Sequence, residues 1–234
     1  IDEIHSYRGV FGSHLANVLR RLARVAAHYG SRPRFVLCSA TIANPAEHAR
    51  RLIEREVVLF DQSGAPTGAR HVLFYNPPVV NAALGIRRSY VLETVRLASA
   101  PIANGVPTIV FTSSRLNVEI LLRYLREDLA RQHLDPGRVQ GYRGGYLPSK
   151  RRAIEKGLRS GEVVGVVATN ALELGIDIGR LDVAFVVGYP GSIASFLQQS
   201  GRAGRAQRDS LTVYVGRSTP VDQYLMEHPE MVVD

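Results

Sequence analysis

Four short segments carry side chains whose types and spacing could do chemistry. The first is Asp2-Glu3-Ile4-His5, directly after an apolar residue. An Asp at the end of a strand can hold Mg²⁺ through water, and a neighbouring Glu can orient and deprotonate an attacking water in a nucleotide-hydrolysing site. The same acidic pair also suits the start of any helix, whose dipole favours carboxylates there. The second is Ser39-Ala40-Thr41, after the apolar run 35–38. Its hydroxyls can hydrogen-bond across a domain interface or simply make a turn or a helix cap. The third runs from Ala168 to Gly179. Thr169 and the N–H groups beside it sit where a strand turns into a helix, a place that binds phosphate oxygens. Asp177 adds a carboxylate near the end, and the alternative is an N-capped helix that Gly175 terminates. The fourth is Gln198-Gln199-Ser200-Gly201-Arg202-Ala203-Gly204-Arg205. Two guanidinium groups three residues apart can converge on one anion, as arginine fingers do on a transferring phosphoryl group. They can also be a basic, glycine-broken helix end facing water.

Groups of this kind need strands that end where they begin. Residues 11–29 place Leu15, Val18, Leu19, Leu22, Val25 and Ala26 at helical spacing, with Arg20, Arg21 and Arg24 on the other side. That predicts an amphipathic helix closed by Gly30. Arg34–Cys38 reads as a short strand, Asn44-Pro45-Ala46-Glu47 as a helix start leading to about Glu54, and Val57–Phe60 as another strand. Residues 61–70 are the best linker candidate. Strands then alternate with helices: 71–75, 108–112, 163–169, 183–188 and 211–215 against 89–103, 115–131, 148–159, 193–200 and 219–226. This order implies an α/β fold, a parallel sheet with helices on both faces.

The 234 residues carry a net charge of +8, which fits a polyanionic partner such as nucleic acid. Arg20, Arg21, Arg24, Arg143, Lys150, Arg151 and Arg152 are candidate phosphate contacts, or a solvated helix face. No apolar run reaches the roughly 18 residues that span a bilayer. The one cysteine, Cys38, excludes an internal disulfide and any cysteine-cluster zinc site in this segment. It reads as a small buried residue and suits a reducing, cytoplasmic setting.

In their order along the chain the four segments resemble motifs II, III, V and VI of superfamily 2 helicases, and Thr108-Ile109-Val110-Phe111-Thr112-Ser113-Ser114-Arg115 resembles motif IV. His5 through His14, Tyr142-Arg143-Gly144-Gly145-Tyr146 and Ala168 through Gly179 narrow the likeness to the mitomycin-repair helicases of bacteria and their fungal relatives. That family comprises 3′→5′ DNA helicases related in motif content to the RecQ group and involved in DNA repair. The resemblance implies two RecA-like α/β domains, the first incomplete over 1–66 and the second whole over 67–234. It makes Asp2 the Mg²⁺-water ligand and Glu3 the catalytic base, with His5 linking the ATP site to the second domain. Ser39 and Thr41 would couple hydrolysis to unwinding. Thr169, Asn170, Ser113, Arg115 and Arg143 would contact single-stranded nucleic acid. Gly175 and Asp177 would face the nucleotide, with Arg202 and Arg205 as arginine fingers and Gln198 beside them. Many relatives have Arg at the position of Gln199, which is assigned no role.

No G-x-x-x-x-G-K-[ST] phosphate loop occurs in the chain. The implied partner is therefore an upstream phosphate-loop segment of the same protein, and the 234 residues alone are expected to hydrolyse no ATP. Without that loop strand, Arg34–Cys38 and Val57–Phe60 should not be each other's ladder partners. Two readings remain beside the DNA helicase: an RNA helicase of the same superfamily, and a non-catalytic module that has kept a helicase-like second domain.

Overall fold

A computed structural model describes all residues except 40, 41, 63, 65–67, 174–177, 205–207 and 234, and the side chain of Val233. The chain divides into two compact units, Ile1–Ala65 and Pro66–Asp234.

In the first unit a 3₁₀ turn at Ile4–Ser6 precedes α1 (Gly9–His28) and α2 (Pro45–Ile53). Gly30 takes φ +74° just beyond α1, the left-handed stop that the sequence predicts. The buried face of α1 is narrower than the apolar stripe: Gly12, Ala16 and Leu19 are covered, whereas Val18, Leu22 and Val25 face outward with Arg20, Arg21 and Arg24. Asn44 does not cap α2 with its side chain. Its amide donates instead to Glu47 Oε2 at 3.0 Å.

The predicted strands Arg34–Cys38 and Val57–Phe60 are not strands. Neither joins a sheet, and they do not pair with each other. Their apolar residues suit a pleated surface, but a strand exists only through ladder partners, and among the described residues of this unit only the Ile1–Ile4 segment bonds to residues 36–38. Val58 and Phe60 are accordingly 80% and 90% exposed. Cys38, expected inside, is exposed for the same reason.

The second unit contains β1 (Arg70–Tyr75), β2 (Val79–Asn81), β3 (Ile86–Arg87), α3 (Tyr90–Ala103), β4 (Thr108–Thr112), α4 (Arg115–Arg131), β5 (Val139–Tyr142), α5 (Pro148–Ser160), β6 (Gly165–Ala168), β7 (Val183–Val187), α6 (Ile193–Ser200), β8 (Ser210–Val215), α7 (Pro220–Glu227) and α8 (Glu230–Val233). Six strands form one wholly parallel sheet in the order β1-β8-β7-β4-β6-β5. Period-two alternation buries both faces. Val110, Val167, Phe185 and Val213 pack under Val95, Ala98, Leu121 and Leu125 of α3 and α4. Ile109, Phe111, Val166 and Ala184 pack with Ile154 and Leu158 of α5 on the other face. Parallel strands need crossovers, so all six strands end at the same edge of the sheet, the edge where open α/β sheets bind ligands.

The sequence reading missed β5, the β2–β3 hairpin and α8. Val139-Gln140-Gly141-Tyr142 mixes apolar, polar and glycine residues, and the hairpin pairs only a few residues across a bulge. Of the linker candidate at 61–70, residues 63 and 65–67 lie outside the described residues.

Candidate nucleotide and nucleic-acid sites

The Asp2-Glu3 segment lies along residues 36–38. Cys38 N–H donates to the Ile1 carbonyl at 2.9 Å, and Ile4 N–H donates to the Cys38 carbonyl at 3.0 Å. Glu3 adopts φ 52° and ψ 45°. Left-handed backbone costs a non-glycine residue on the order of 1 kcal/mol or more and concentrates at functional sites. Two local bonds hold the turn: Glu3 N–H donates to Asp2 Oδ1 at 2.9 Å, and Ser6 Oγ donates to the Glu3 carbonyl at 2.8 Å. His5 Nδ1 stands 3.4 Å from Glu3 Oε2 and 3.5 Å from Ser39 Oγ. Three of the predicted residues therefore meet at one ring nitrogen. Thr41 lies outside the described residues. His48 of α2 was not foreseen. Its Nε2 is 2.8 Å from the Ile4 carbonyl, which can only accept, so Nε2 carries the proton and pins the turn between Glu3 and His5.

No group of three or more His, Cys, Asp or Glu side chains able to hold a metal occurs among the described residues. The donor set nevertheless fits Mg²⁺, which keeps several waters and takes one or two carboxylates plus substrate phosphates rather than a protein cage. Asp2 is exposed and has Glu3 beside it.

In the second unit the predicted nucleic-acid residues stand in a row along the carboxyl edge of the sheet. Ser113 and Arg115 follow β4, Thr169 and Asn170 follow β6, and Arg143 follows β5, on three adjacent strands. Ser114 Oγ caps α4 by accepting from Asn117 N–H at 3.0 Å, which turns the chain sharply after Ser113. Ser113, Arg115 and Asn170 are exposed. Thr169 is buried, and its hydroxyl accepts weakly from Ala171 N–H at 3.4 Å, capping the 3₁₀ turn Asn170–Leu172.

Around Arg143 the charge is organised. Arg143 Nε donates to Glu119 Oε1 at 2.7 Å, and Tyr146 Oη donates to the same oxygen at 3.0 Å. The Tyr146 ring also carries two cations, with Arg143 Cζ at 4.7 Å and Lys150 Nζ at 4.0 Å from its centroid. The Arg143 bond holds the Glu119 carboxyl below its usual range, and burial, followed by the Glu119 bond, raises the Tyr146 phenol. Arg115 reaches the same turn, since a Cβ on Gly144 would lie 3.6 Å from its Nη2. The result is a basic cluster of Arg115, Arg143 and Lys150 around Tyr146, with the Glu119 carboxylate among them. Glu119 escaped the sequence reading because it sits on α4, 24 residues before Arg143. Arg152 is exposed on α5.

Arg202 is turned inward. It is 4% exposed, and its Nε and Nη2 donate to the Glu173 carbonyl at 2.9 and 2.5 Å. Gln199, given no role from sequence, is buried and donates to Glu173 Oε2 at 3.0 Å. The segment after β6 and the end of α6 are thus tied together through Glu173. Gln198 is half-buried on the same helix. Gly175, Asp177 and Arg205 lie outside the described residues.

Residues 90–207 match the family model described as the helicase conserved C-terminal domain. The chain is 55% identical over 230 residues to the uncharacterized ATP-dependent helicase YprA of Bacillus subtilis, covering 98% of this chain and 31% of that protein. It superposes on the DUF1998 helicase MrfA bound to DNA and AMPPNP with a TM-score of 0.92 at 54% identity, over 99% of this chain and 32% of that one. The Mycobacterium smegmatis helicase Lhr bound to ssDNA and AMP-PNP gives a TM-score of 0.76 at 28% identity, over 97% of this chain and 30% of that one. The chain thus spans about a third of the length of these relatives. The ordered motifs, the six-stranded parallel sheet and these likenesses agree: the chain belongs to the helicase conserved C-terminal domain family and is a C-terminal part of a superfamily 2 helicase core.

Proposed function

We propose that the protein containing this chain is an ATP-dependent 3′→5′ DNA helicase or translocase acting inside the cell in DNA repair. The observation that carries this reading is the row of Ser113, Asn170, Arg115 and Arg143 along one sheet edge. Hydroxyl, amide and guanidinium groups in a line suit the repeating phosphates of a single strand and read no base. The net charge of +8 favours the same partner.

In this account Asp2 holds Mg²⁺ through water, and the ion offsets charge on the ATP phosphates. Glu3 orients the attacking water and takes its proton. His5, touching both Glu3 and Ser39, passes the state of the nucleotide to the segment carrying Ser39 and Thr41. The family resemblance assigns Gln198, Gly175 and Asp177 to nucleotide binding and Arg202 and Arg205 to the arginine-finger role. Arg202 donates Nε and Nη2 to the Glu173 carbonyl here, so a phosphate would compete with Glu173 for those two donors. An upstream phosphate-loop segment of the protein supplies the amides and lysine that the chain lacks.

Strand displacement tests the reading. The full-length protein should unwind a duplex carrying a 3′ single-stranded DNA tail, and it should do so with ATP only. Equal unwinding from a 5′ tail, or action on an RNA loading strand alone, would overturn it.

A further inference from the structure

The carboxyl edge continues past β4 to β7 and β8, and no predicted site residue lies there. What stands there is Arg217, two residues after β8. Its Nη1 donates to Ser113 Oγ at 3.3 Å, Nη2 donates to the Tyr189 carbonyl at 3.3 Å, and Nε lies 3.3 Å from Asp222 Oδ2. Asp222 is 0% exposed. It also accepts from Tyr214 Oη at 2.5 Å, from Tyr189 N–H at 2.7 Å and from Thr219 Oγ1 at 2.5 Å. The carboxylate is therefore fully bonded, and it fixes the guanidinium over the ends of β7 and β8. Gly188 makes room for this. A Cβ at that position would lie 1.9 Å from Arg217 Nε.

Two features set this arrangement apart from a purely structural clasp. The Arg217 side chain keeps 22% of its surface exposed, at the edge where the other candidate contacts stand. Its outer nitrogen also ends on an exposed hydroxyl, Ser113, rather than on a second carboxylate. A partly exposed guanidinium anchored by one buried acid, with a serine beside it, has the composition of a phosphate-binding pair.

We propose that Arg217 extends the backbone-phosphate track beyond Ser113, holding the Ser113 hydroxyl in place and sharing with it one phosphate of the bound single strand. Arg217 acts here as a contact and positioning residue, Asp222 as its anchor. The inference rests on Ser113, Asn170, Arg115 and Arg143 marking the nucleic-acid track, so its test carries Arg143 as an internal control.

The experiment measures affinity of the full-length protein for a single-stranded DNA oligonucleotide between 50 and 200 mM salt, for the wild type, Arg217→Gln and Arg143→Gln. Each single-strand phosphate contact contributes about 0.7 to the slope of log affinity against log salt. Loss of one contact should therefore shrink the wild-type fall in affinity across that range by about 2.5-fold. Both variants are expected to show it. A reduced slope for Arg143→Gln alone overturns the role of Arg217. Unchanged slopes for both overturn the track itself. If Arg217→Gln fails to fold, Arg217→Lys is read together with Ser113→Ala. Lysine keeps the charge and the slope but loses the fork, so Ser113→Ala should add little further weakening. Full additivity of the two changes would refute the pairing.

Discussion

Replacing Asp222 by alanine removes an acceptor on which four donors converge. Thr219 and the partly exposed Arg217 can turn to water. Tyr214 cannot, because it is 0% exposed and packs edge-on against Phe74 and Phe196. The Tyr189 N–H is left without its side-chain acceptor as well. Each orphaned buried donor costs about 1–3 kcal/mol, and removing one partner of a buried ion pair costs about 3–5 kcal/mol. These overlap rather than add, so the expected loss is about 4 kcal/mol, against a domain stability of about 5–15 kcal/mol. For a unit of this size it corresponds to a fall in Tm of roughly 8–16 °C. The chain has ten tyrosines and no tryptophan, and only Tyr7 and Tyr29 fall in the first unit, so tyrosine fluorescence during urea or thermal unfolding reports mainly the second. Tyr214→Phe should cost only about 1 kcal/mol, because it removes one donor and leaves Asp222 with three. A loss below about 1 kcal/mol for Asp222→Ala would refute the view that this carboxylate anchors the sheet edge.

Other substitutions and conditions test separate parts of the account. In the full-length protein, Arg205→Lys should lower kcat and kcat/KM for ATP together while nucleotide affinity changes much less, since lysine keeps the charge but loses the planar fork; an unchanged kcat removes Arg205 from the role. Thr112 Oγ1 is buried without a hydrogen-bond partner, so Thr112→Val should leave stability unchanged or raise it by less than about 1 kcal/mol, and a clear loss in urea unfolding would show a partner for that hydroxyl. Burial, and next the bond to Glu155, push the Tyr142 phenol up to about 12. Its contribution to stability is complete below the ordinary tyrosine range near 10 and is lost as pH rises through about 12. The ultraviolet titration difference between wild type and Tyr142→Phe should appear only near that upper pH or on unfolding, and a difference near pH 10 would contradict it.

The parallel sheet was legible because Thr108–Thr112, Val183–Val187 and Ser210–Val215 are apolar or β-branched runs bounded by turn residues, and both of their faces are buried. The same pattern at Arg34–Cys38 and Val57–Phe60 produced no strand, because periodicity describes a face and cannot supply a neighbour to bond with. Glu3, His5 and Ser39, which motif chemistry singled out, meet at one imidazole nitrogen. The long-range partners were not legible. Arg217 reaches Ser113 across 104 positions and Glu119 reaches Tyr146 across 27, and no local spacing announces either pair. Gln199 was passed over as a departure from the family pattern, yet its amide reaches the carboxylate of Glu173.

ATP turnover of the full-length protein, with and without single-stranded DNA, tests the central claim most directly when wild type and Glu3→Gln are compared. Single-stranded DNA should stimulate the wild type, and Glu3→Gln should bind nucleotide normally yet lose turnover by several orders of magnitude, because the amide can hold a water but cannot take its proton. Wild-type turnover that ignores DNA, or a Glu3→Gln protein that hydrolyses ATP at the wild-type rate, would contradict the account.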